Sequence, residues 1–138
     1  MDLLKGITTV YTSDAAIDAA LLILRVALAA LMLTHGLPKL KPLVSAGPVQ
    51  FPPTLGLSPK TSLTLAATAE VLGSLMILVG FATRLAVVPL ILVMLVATLH
   101  THRNDPFVRK EPAILYLVPY LLLLLSGSGK YSIDYLLQ

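Results

Sequence analysis

Four stretches of apolar residues run along this chain, at about 19–36, 61–81, 85–100 and 113–125, with proline, glycine and charge collected between them. A helix that crosses the hydrocarbon core of a bilayer needs about 20 residues. The first three stretches approach that length. The fourth is short and reaches it only by borrowing from 107–112 or 126–133; otherwise it is a buried partial span. Pro38, Pro42, Pro48, Pro52, Pro53 and Pro59, with Gly47 and Gly56, fall in the first connection, so it cannot be one continuous helix. Phe51, Leu55 and Leu57 make that connection partly apolar, fit to lie at an interface or fold back over the helices. The connection at 81–84 is so short that the second and third spans form an antiparallel hairpin. The pattern predicts an all-α fold, an integral membrane four-helix bundle forming one domain over 1–138. Pro89 and Pro119 lie within spans, where proline is tolerated as a kink.

Composition sharpens this picture. Among 138 residues, 57% are hydrophobic and only 12% charged, where a soluble domain carries roughly a quarter charged. One small core could not hide that much apolar surface, whereas a lipid bilayer accepts it. A net charge of +3, dispersed along the chain, does not indicate a nucleic-acid partner. The absence of cysteine excludes disulfides and thiolate metal sites. The N-terminal region has one Lys5 beside Asp2, Asp14 and Asp18 and lacks the basic start of a signal peptide. The first span is expected to be retained and to act as its own insertion signal.

Four spans put both termini on one side. Lys5, Arg84 and Lys130 belong to that side, and Lys39, Lys41, Lys60, Arg103, Arg109 and Lys110 to the other, three against six. Excess basic charge marks the cytoplasmic face, so the expectation is a multi-pass membrane protein with non-cytoplasmic termini.

The candidate chemistry begins with Glu70, near the middle of the second span, where an ionised carboxylate costs about 2.5 kcal/mol or more. Ala66, Gly73 and Gly80 mark a small-residue face of that helix, and Glu70 shares it. Glu70 therefore points into the bundle, as a site carboxylate or proton acceptor or as half of a structural ion pair. Arg25 in the first span is the expected partner, at a depth differing by roughly 6 Å; otherwise it snorkels to the near interface. His35 and Lys39 end the first span, His100 and His102 the third, and Glu111 opens the fourth, all on one membrane side. They can form a polar mouth above a buried pocket, or be ordinary interfacial anchors. His100 and His102, two apart, diverge on a helix, so no metal site is expected. Tyr116 and Tyr120, four apart, either hydrogen-bond into the bundle or belong to an aromatic belt.

Arg25, His35-Gly36, Lys39, Glu70, Gly73, Gly80, Thr83-Arg84, Met94, His100, Glu111, Tyr116, a Gly-x-Gly turn at 127–129, Ser132 and Asp134 form a series in order. This series resembles the DoxX family of small bacterial and archaeal membrane proteins, over roughly 20–135. The family's usual G-P-G turn has Ser128 in place of its proline. The resemblance implies a four-helix membrane fold in a bacterial inner membrane. It also implies quinone-linked work, because the family takes its name from a subunit associated with a terminal quinol oxidase and with thiosulfate:quinone oxidoreductase.

Two functional expectations result. The first is an accessory subunit of a quinone-linked oxidoreductase, not catalytic alone, binding a quinone or lipid-like ligand in its bundle. Arg25 would stabilise an anionic oxygen and Glu70 handle a proton, with His35, Lys39, His100, Glu111 and Tyr116 around the ligand. No cofactor motif is evident, so quinone is the one cofactor suggested, and a redox enzyme or a second copy is the expected protein partner. The second is a non-enzymatic membrane component, such as an assembly factor, a partner-binding subunit or a small-solute carrier.

Overall fold

The computed structural model describes residues 14–138. The expectations on the first thirteen residues, a retained N-terminus and the charge of Lys5, lie outside these. Four long helices form an all-α bundle, with no strand among the described residues: α1 (Asp14–Gly36), followed by a short α2 (Lys41–Val44), then α3 (Pro59–Val79), α4 (Thr83–Val96) and α5 (Phe107–Ser126), with a final turn α6 (Ile133–Leu136). The chain is a multi-pass membrane protein. Three helical segments, Asp14–Val44, Pro59–Val79 and Thr83–Thr101, are long and apolar enough to cross a membrane. The fourth, α5, reaches the needed length by taking in the charged start at Arg109, Lys110 and Glu111, one of the two extensions the pattern allowed.

Local chemistry sets the ends. Ser58 caps α3, its hydroxyl accepting from the Thr61 amide, and Pro59 takes the first helical position, where a missing N–H costs nothing. Gly80 ends α3 in the left-handed region at φ 69°, which glycine adopts without strain. After α1 the chain tightens into a 3-10 turn over Leu37–Leu40, with Pro38 inside it. At Ala97–Thr101 the third span widens into a π turn, closed by the His102 amide donating to the Ala97 carbonyl at 3.0 Å.

The helices pack antiparallel in chain order, α1 on α3, α3 on α4 and α4 on α5. Small residues set the spacing. A Cβ at Gly36 would lie 3.0 Å from the Glu70 Cβ, and one at Gly73 would lie 2.9 Å from Leu90 Cδ1. The core consists of Leu28 and Met32 of α1, Ile77 of α3, Val87, Leu90 and Met94 of α4, and Tyr120 and Leu123 of α5. Outside it, Ile23, Leu31, Leu65, Leu85, Leu92, Leu115 and Leu125 stand exposed. That apolar exterior suits hydrocarbon and not water.

Candidate functional site

One end of the bundle holds a half-open cavity of about 630 Å³. Its walls come from α1, α3, the end of α4 and the start of α5, and the connection after α2 folds over it through Phe51, Pro52, Thr54, Leu55 and Leu57. The Thr54 amide donates to Ser62 Oγ at 3.1 Å, pinning that connection to α3. The lining is mostly apolar, and its charged centre is Glu70, 2% exposed. The 3-10 turn after α1 brings Lys39 over the α3 face, and its Nζ lies 2.5 Å from Glu70 Oε1. Gly36 makes this possible, because any larger residue there would press on Glu70 and Val71.

His35 and Tyr116 meet edge to face with ring centroids 5.7 Å apart, and Tyr116 stacks on Tyr120 at 6.2 Å. Three buried polar atoms in this half have no hydrogen-bond partner: Glu70 Oε2, Ser74 Oγ and Tyr120 Oη. Ser74 follows Glu70 by one helical turn, and Tyr120 is near enough to feel the Glu70 charge. Buried polar groups in native proteins are nearly always bonded. Of these three residues Glu70 lines the cavity, while Ser74 and Tyr120 do not. At the rim, His102 Nδ1 lies 2.7 Å from Asp105 Oδ2, and Arg109 lies 3.8 Å from the same oxygen. The hydrogen bond from His102, with the nearby Arg109 charge, holds the Asp105 carboxyl below its usual range.

The opposite end buries charge differently, and here the expected Arg25–Glu70 pair is replaced. Arg25, fully buried, donates through Nη1 to the carbonyls of Ile77 at 3.1 Å and Leu78 at 3.5 Å, and through Nη2 to the carbonyl of Tyr131. The depth argument counted residues from helix ends taken as level. In fact α1, described from Asp14, overshoots the end of α3, and the overshoot is covered by the chain's last segment. Arg25 is thus level with the 77–80 turn, while Glu70 lies seven residues deeper, about 10 Å along the axis.

The last segment completes this end. Asp134 accepts from the amides of Ala82 at 2.6 Å and Thr83 at 3.0 Å, capping α4, and from the Ser128 hydroxyl at 3.2 Å. Its own amide donates to the Gly80 carbonyl at 2.8 Å. Asp18 accepts from the Lys130 amide at 2.9 Å. Burial pushes the Asp134 carboxyl up, but the Thr83 and Ala82 amides and the Ser128 hydroxyl outweigh it and hold it below the usual range. The motif of Gly127, Gly129, Ser132 and Asp134 is therefore a structural clasp.

Of the residues singled out by sequence, the cavity brings together Glu70, Lys39, His35 and Tyr116. Arg25 lies at the other end. His100 and Glu111 are exposed and do not line the cavity. The π turn shifts the facing of the third span's end, so His102 lines the cavity instead, with Thr101 and Arg109. Sequence reasoning gave no role to Ser74. Its place one turn from a buried carboxylate was the available signal. Among the described residues, no three His, Asp or Glu side chains gather as a metal site.

A family model described as DoxX matches residues 20–103, well over half of the chain. No curated protein and no solved structure matches it.

Proposed function

This chain belongs to the DoxX family, and we propose on that basis that its cavity binds a quinone or a similar amphiphile, as a membrane component of a quinone-linked oxidoreductase. The observation that carries this reading is Glu70: a carboxylate 2% exposed, ion-paired on one oxygen, in a mostly apolar cavity of about 630 Å³. Small-molecule sites are commonly cavities of roughly 300–1,000 Å³ with few polar groups in an apolar lining. A quinone has a polar ring and an apolar tail, which suits such a space. Lys39 takes the part first assigned to Arg25, offering positive charge to a ring oxygen. Glu70 is the group able to exchange a proton, and His35 and Tyr116 flank the ring. With no redox centre of its own evident in its sequence, the chain acts beside a catalytic partner. The three-to-six charge count supports a cytoplasmic position for the cavity end.

The test is binding to the purified protein in mild detergent. A short-chain quinone raises the melting temperature, because a ligand that binds only the folded state stabilises it. Glu70→Ala removes the rise and His35→Ala reduces it less. A flat response to several quinones, with none found by mass spectrometry in the purified protein, overturns this reading in favour of a non-enzymatic, partner-binding component.

A further inference from the structure

The ion pair at Glu70 is one-sided. Lys39 occupies Oε1, while Oε2 is buried and accepts nothing. A carboxylate paired with an ammonium is an acceptor only. A buried acceptor without a donor keeps its full desolvation cost, so the site gains most from a ligand that brings an O–H. Glu70 lines the cavity, and the last torsion of its side chain is soft, so its carboxylate can turn toward a ligand there without backbone movement. A carbonyl head group, acceptor against acceptor, gains nothing from the free oxygen and bonds only through Lys39, which Glu70 holds in place.

We propose that the cavity selects its ligand in a hydroxyl-bearing form, a phenol or hydroquinone head on an apolar tail, with the O–H donated to Glu70. This rests on the proposed function and adds the chemical form of the ligand. A charge-assisted hydrogen bond is about twice as strong as a neutral one, enough for a preference of roughly tenfold or more in Kd over the same molecule lacking the proton. For a bound quinone couple, a tenfold preference for the two-electron-reduced form raises the apparent midpoint potential by about 30 mV.

The experiment compares 4-decylphenol with its methyl ether, two probes that differ by one methyl group on the head-group oxygen, by Kd on the detergent-solubilised full chain. The expected result is at least about tenfold tighter binding of the phenol. Glu70→Gln, whose amide can donate as well as accept, brings the ratio close to one. Glu70→Gln combined with Lys39→Met does the same with no charge left unpaired, which covers the case where the single variant folds poorly. Equal binding of phenol and ether by the wild type overturns the inference while leaving the cavity a ligand site. So does a tenfold ratio that survives in both variants. Failure of both probes and of every quinone to bind overturns the proposed function as well.

Discussion

The two ends of this bundle each bury a charge in an apolar interior and treat it in opposite ways. At the clasped end, Arg25 reaches three carbonyls and Asp134 three donors, and Gly80 is packed so closely that a Cβ would lie 2.4 Å from Arg25 Nη1. At the cavity end, Glu70 has one partner on a flexible side chain that is itself 29% exposed, and its second oxygen has none. An isolated charge in a membrane span invites a functional reading. Counting what each charge is bonded to separates a bolt from a socket. Arg25 Nε is also unpartnered, but Arg25 does not line the cavity of about 630 Å³.

The largest effect expected from breaking this contrast is at Arg25. Arg25→Met strips donors from three carbonyls and leaves Asp134 without its nearby positive charge, and should cost about 3–5 kcal/mol in detergent unfolding. Ligand affinity of the folded fraction should not change. Gly80→Ala should cost about 2–3 kcal/mol, from a left-handed backbone and the overlap with Arg25 and Ser132. Asp134→Asn should cost about 1–2 kcal/mol at neutral pH. The sign in acid follows from its lowered folded value. The contribution is fully present above the unfolded pKa of about 3.9 and is lost as pH falls through the lower folded value. Wild type should therefore converge on the Asp134→Asn variant in acid unfolding titrations. Glu70→Gln should cost only about 1 kcal/mol or less, since Lys39 can swing to water. Finally, Arg25→Met and Glu70→Gln should add to within about 0.5 kcal/mol in a double-mutant cycle. A larger coupling would restore the direct pair between them and collapse the contrast.

Much of the fold was legible because lipid simplifies the code. Runs of apolar residues and the prolines between them gave four helices, and the small-residue face at Gly73 gave the close approach of α3 and α4. Glu70 stood out because few residues explain a carboxylate at that depth. Its partner was not legible, because helix overhang is set by tertiary packing. Arg25 and Lys39 are equally plausible partners until the level of α1 against α3 is known. His100 and Glu111 misled for a related reason. The π turn at Ala97–Thr101 has no sequence mark, yet it decides which histidine lines the cavity. The clasp was not legible in the last segment, because its glycines and serines are ordinary turn residues. Its role comes from distant amides that periodicity cannot point to.

The clasp also imposes an order on biogenesis. Its parts are far apart in the chain: Asp18 and Arg25 are translated before α3, α4 and α5, and Lys130, Tyr131 and Asp134 after them. Throughout insertion of α1, α3, α4 and α5, the Arg25 guanidinium waits in the membrane without its Tyr131 acceptor, and α4 has no carboxylate on its first amides. The clasp can close only after the segment through Asp134 has been made. Chains stalled or cut after Ser126 hold every helix of the cavity and still lack the closure.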